Sequence, residues 1–114
     1  MTATDHGLGP LTTHVKAIVT VAKGLEPMAG LAEADRLGLQ IVREILGEAL
    51  LALAARPKLS AAQAGHLKRP GRALVEESDK LDHEPKPEQI AQWWRGVEPA
   101  AREFARAVHD LPHR

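Results

Sequence analysis

Cysteine is absent from the 114 residues, as is tyrosine. Without cysteine there is no disulfide framework, no thiolate metal centre and no thiol nucleophile. The same absence fits a reducing compartment, so a cytoplasmic protein is expected. The aromatic set is Trp93, Trp94 and Phe104. Long apolar runs are missing too: the longest, residues 49–55, is far short of the roughly 20 residues that cross a bilayer. No membrane association is therefore expected. Net charge is lacking, because fifteen basic and fifteen acidic side chains cancel, so nothing global draws the chain to nucleic acid or an anionic surface. The opening MTATDHGLGP has no basic stretch followed by an apolar one, and no signal peptide is expected. The serines are Ser60 and Ser78 alone, neither in a G-x-S-x-G elbow, and no glycine-rich phosphate loop or dinucleotide fingerprint is present.

Alanine and leucine dominate instead, a helix-favouring composition, and the Ala/Arg/Gly bias resembles that of a GC-rich bacterial genome. A chain of this length is one domain with room for a real core. Its organising stretch is residues 31–55. At about 100° per residue, Ala34, Leu39, Ile41, Val42, Ile45, Leu46, Ala49, Leu50, Ala52 and Leu53 share a broad arc. Glu33, Arg36, Gln40, Arg43, Glu44 and Glu48 lie opposite. Leu51 and Ala55 interrupt that polar side, so something must cover the last turns. Pro27 suits the helix's first turn, and Arg56-Pro57 ends it.

Residues 1–10 lack periodicity and predict a flexible N-terminal arm. Residues 11–25 are ambiguous. As a helix they align Leu11, Val15, Ile18, Val21, Ala22 and Leu25; as a strand they alternate with many β-branched residues. No other segment offers a strand partner, which favours helix. Ser60 is the expected N-cap of a third helix over 60–82. Its stripe of Ala64, Leu67, Leu74, Val75, Ser78 and Leu81 keeps phase across Pro70-Gly71, predicting a kink or two collinear pieces. A polar link, 82–87, precedes a fourth helix over 88–111. There Ile90, Trp93, Trp94, Val97, Ala100, Ala101, Phe104, Val108 and Leu111 share one face, and Pro99 lies on the solvent side, where the helix can kink without ending. A tail at 112–114 completes the domain. Four amphipathic segments with short links predict an all-α four-helix bundle with antiparallel neighbouring helices.

Several clusters bear on chemistry. Glu44 with Glu48, and Glu76 with Asp79, are carboxylate pairs about one turn apart; such pairs on neighbouring helices can hold Mg²⁺ against a phosphate chain. The arrangement is similar to the all-α nucleotide pyrophosphohydrolases in these four residues, which implies a metal-dependent hydrolase. Both pairs point away from their helices' core faces, so they could meet only across a dimer. His109 and His113 have the spacing of a two-histidine metal face, but Pro112 separates them. His14, on the apolar side of the first helix, reads as a core or interface residue with one hydrogen bond. Arg56, Lys58, Lys68, Arg69 and Arg72 form a basic run, and residues 59–67 resemble the first helix of a helix-turn-helix. The sequence that follows is acidic, at Glu76, Glu77, Asp79, Asp82 and Glu84, and would repel phosphates.

That split places positive charge near the N-terminus of the third helix and negative charge near its C-terminus, both against the macrodipole. Pairs Arg72–Glu76 and Glu76–Lys80 would offset part of this. Two third helices lying antiparallel would set each basic half beside the other's acidic half. Trp93 and Trp94 stand about 100° apart; one fills the core and the other is a candidate contact. The sequence therefore predicts a non-catalytic, self-associating interaction, adaptor or regulatory module, without a cofactor or metal. Its partner is a protein or a second copy, met through Leu51, Trp94, Arg69, Arg72, Glu76 and Glu77. A small DNA-binding regulator using residues 56–72 is the second expectation, and the hydrolase assembled across a dimer the third.

Overall fold

The computed structural model describes residues 8–56 and 58–112, with Leu8 and Gly9 as backbone only. Four helices account for most of them: α1 (Leu8–Leu25), α2 (Glu33–Ala54), α3 (Ala61–Ser78) and α4 (Pro87–His109). The ambiguous segment is helical. Val15, Ile18 and Ala22 recur at spacings of three and four and are buried, which is the helical period and not the strand's alternation. The expected N-terminal arm lies outside the described residues at 1–7, while Leu8, Gly9 and Pro10 belong to α1. Of the expected tail, Pro112 is described and positions 113 and 114 are not; His113 and Pro57 also fall outside the described residues.

Local signals explain the boundaries. Ser60 caps α3: its Oγ accepts from the Gln63 N–H at 3.1 Å, and the Gln63 Oε1 accepts from the Ser60 N–H at 2.9 Å. The reciprocal pair satisfies two donors that the helix cannot. At α4, Pro87 occupies the first turn, where its missing N–H does no harm, and the Gln89 side chain accepts from the Lys86 N–H at 2.7 Å. Pro27 does not enter α2; it sits in the link, and α2 starts at Glu33 after Gly30, whose φ of 93° suits glycine. Both α3 and α4 continue through their internal prolines. Pro70 and Pro99 leave the carbonyls of His66 and Arg95 without their usual helical donor, and both of those residues are exposed, where water can serve.

The main packing is of α2 with α4, α1 with α2, and α3 with α4, with a smaller contact between α1 and α3. The pair α3–α4 is antiparallel, as its short link requires. Trp93 Nε1, early in α4, donates to the Ser78 carbonyl at 3.0 Å, while Gln63, early in α3, donates to the Pro112 carbonyl at 2.8 Å. Helices α2 and α4 are spatial neighbours that run in the same direction. Asp35 meets Trp94 and Arg95 at one end, and Ala49 and Ala52 share a groove with Ala105 and Val108 at the other. A single apolar core joins all four helices. Leu39, Val42 and Leu46 of α2, Leu67 and Leu74 of α3, and Ile90, Val97 and Phe104 of α4 are fully buried, as is Val15 of α1.

Two glycines set the spacing. At Gly71 a Cβ would stand 2.7 Å from the Leu11 side chain, and at Gly38 it would stand 2.5 Å from the Trp94 ring. Each lets a neighbouring helix come close. Gly47 does no such work: a Cβ there would meet nothing within 4 Å. Gly47→Ala should therefore stabilise the fold by about 0.5–1 kcal/mol through helix propensity alone. Urea titration of the variant would show it, and an unchanged or lower midpoint would refute it.

Candidate interaction surface

Helix α3 turns Leu67, Gly71 and Leu74 inward, so the residues on its opposite side face solvent. Ala61, Gly65, Arg69, Arg72, Glu76 and Asp79, at successive spacings of three and four, form one outer ridge, and all six are exposed. No ion pair or hydrogen bond among the described residues engages Lys68, Arg69, Arg72 or Glu76. The intrahelical pairs Arg72–Glu76 and Glu76–Lys80 do not form. Lys80 instead reaches Glu77 at 3.0 Å, and the Glu77 carboxylate lies over Gly96 of α4. Among the described residues the charge split at Lys68, Arg69, Arg72 and Glu76 is thus left uncompensated at the surface, against the helix macrodipole.

Beside this ridge lies a cleft of about 730 Å³ between α1 and α3. Leu11 and Val75 give it apolar walls, Ala64 and Gly65 keep it open, and Lys68, Arg72 and Glu76 stand along its α3 side. His14 borders it from α1, with Nε2 at 2.6 Å from Ser78 Oγ and 3.6 Å from Asp79. The Ser78 hydroxyl also lies 2.9 Å from the Val75 carbonyl, placed to donate to it, and in that arrangement the imidazole N–H donates to Ser78 Oγ. A nucleophilic serine would need the reverse, with the ring accepting the hydroxyl proton and an acid on the other nitrogen. The pair is arranged as a tie between α1 and the end of α3, which fits the expectation of one hydrogen bond at His14.

The remaining expected contact residues are scattered. Trp94 lies in the α2–α4 seam against Gly38, its Nε1 donating to Asp35 at 3.3 Å, with the Arg95 guanidinium 5.7 Å from its ring centre. Trp93 is buried against the end of α3. Leu51 is 73% exposed on α2, and Leu37 at 53% and Ile41 at 38% stand on the same outer side. Ile41, expected in the apolar arc of α2, falls at its edge instead. Arg69, Arg72 and Glu76 therefore form one surface, Glu77 turns toward α4, and Leu51 and Trp94 belong elsewhere.

Glu44 and Glu48 are exposed on α2, whereas Glu76 and Asp79 are on α3, a helix that makes its main contacts with α4 and α1. Among the described residues no group of three or more His, Asp or Glu is placed to hold a metal ion. The turn of a helix-turn-helix is missing, because residues 61–78 form one unbroken helix. Pairing His14 with Ser78 could not be read from a separation of 64 positions; the apolar placement of His14 was the available signal. No described helix is long and apolar enough to cross a membrane. Compared with protein-family models, curated proteins and solved structures, the chain finds no match.

Proposed function

We propose that the protein is a non-catalytic interaction module that self-associates. One observation carries the reading: Arg69, Arg72 and Glu76 lie on one exposed face of α3, without an ion-pair or hydrogen-bond partner among the described residues, beside an open cleft with apolar walls. Arg72 and Glu76 have the spacing to bond each other on the helix and do not. Exposed ion pairs contribute about 0.2–1 kcal/mol each, so such a face supplies orientation, while burial of the cleft supplies affinity. DNA is the weaker reading, since a duplex laid along Arg69 and Arg72 would run onto Glu76 and Asp79.

The expected result is a dimer at micromolar concentration whose dissociation constant rises roughly tenfold from about 50 mM to about 500 mM salt. Light scattering coupled to size exclusion checks it. A monomer at every salt concentration would overturn the proposal. So would a salt-dependent gel shift of a short duplex by a chain that stays monomeric.

A further inference from the structure

We infer that the partner of this face is the α3 helix of a second copy, lying antiparallel across a two-fold axis level with position 74. The inference rests on the self-association proposed above and adds the surface and its register. The order of charges along the ridge motivates it. Two helices crossing antiparallel pair position n of one with position 148 − n of the other when the axis is level with Leu74. That register sets Arg72 against Glu76 of the second copy and Arg69 against Asp79 of the second copy, and the two-fold repeats both pairs. All four residues are exposed on the same ridge, and three of them have no partner among the described residues.

A one-turn slip in either direction breaks the match. With the axis level with Arg72, the two Arg72 side chains would meet. With the axis level with Glu76, the two Glu76 side chains would meet. Like charges directly opposed are destabilising, and either slip gives up both Arg72–Glu76 pairs, although the first sets Glu76 against Lys68 of the second copy. In this register residues 70–78 of the two α3 helices lie alongside each other. The cleft walls Leu11 and Val75 flank the ridge, so the docked helix covers apolar surface while its charges pair. Asp79 keeps its contact with His14 at 3.6 Å and still has an exposed carboxylate to offer.

Charge reversal tests the inference. Arg72→Glu alone sets two carboxylates against each other in the homodimer, the introduced one and that of Glu76. Glu76→Arg alone opposes two guanidinium groups. Each variant is expected to run as a monomer under conditions where the parent chain is a dimer. Mixed in equal amounts, they are expected to recover the dimer mass, because the heterodimer has one register partner of each sign to offer at both sites: an all-acidic pair of positions on one copy faces an all-basic pair on the other. The double variant Arg72→Glu/Glu76→Arg is expected to dimerise alone. These positions are exposed, so circular dichroism should show helical content unchanged. If each single variant stays dimeric, self-association stands and this register fails. If the singles are monomeric and the mixture remains so, the pairing is likewise overturned. If the parent chain is itself monomeric, both the inference and the reading beneath it fail.

Discussion

Phe104→Ala is expected to lower stability by about 3–5 kcal/mol, the range for deleting a fully buried aromatic ring. Phe104 has no exposed surface and is the largest fully buried side chain among the described residues. It stands on the buried face of α4 with Val97, Ala101 and Val108, in a core that also includes Leu46 of α2 and Leu67 of α3. Truncation removes apolar burial and leaves a cavity bordered by helices that cannot fully close on it. Against a typical total of roughly 5–15 kcal/mol, the loss is about a fifth of the margin or more. At about 4 °C for each kcal/mol, the thermal midpoint should fall by more than about 10 °C. A loss under about 1 kcal/mol in a urea titration would show that the core can collapse around the site.

Gly38→Ala is the second large effect, and its sign opposes that of Gly47→Ala on the same helix. Alanine improves helix propensity at both positions by about 0.5–1 kcal/mol. At Gly38 the added Cβ would stand 2.5–2.6 Å from three atoms of the Trp94 ring. The indole is rigid and held by the Asp35 carboxylate, so the helices or the ring must move. Overpacking of this kind costs about 1–3 kcal/mol, which outweighs the propensity gain. The expected signature is a lower urea midpoint with a red shift in tryptophan emission as the Trp94 indole leaves its seat. In a double-mutant cycle, Gly38→Ala should cost less in a Trp94→Leu background, since the two sites share one contact. Equal stability of the Gly38→Ala and Gly47→Ala variants would refute the account.

Much of the architecture was legible because it is written in short-range patterns. The stripe of α4 is buried at Ile90, Trp93, Val97, Ala100, Ala101, Phe104, Val108 and Leu111, with only Trp94 half-exposed. The Ser60 cap of α3 was readable from the serine ahead of the helix, and the structure adds the reciprocal Gln63 side chain. Periodicity gave less at the margins. Ile41 and Val21 look apolar on a wheel, yet both stand at the edges of their helices' buried faces and are partly exposed. Pro27 suits a helix start in composition, but the chain uses it in the link. What local pattern could not give was which helices touch. The closeness of Gly38 to Trp94, of Gly71 to Leu11 and of His14 to Ser78 depends on which neighbour arrives at each small residue. The ridge on α3 is intermediate: its charges are plain in the sequence, while the lack of partners for Arg69, Arg72 and Glu76 among the described residues required the side chains in place.

The same-direction seam of α2 and α4 divides the chain by contact order. Helices α1 and α2 form a local pair closed by residues 26–32, and α3 with α4 form another closed by residues 79–86. The seam joins positions as far apart as Asp35 and Trp94, a separation of 59. Closing that larger loop is the entropically demanding step of assembly, and each doubling of a flexible loop adds only about 0.6 kcal/mol. The crossing from α2 to α3 at residues 55–60 is thus the place where added length would delay the meeting of the two halves while leaving each half's own pairing intact.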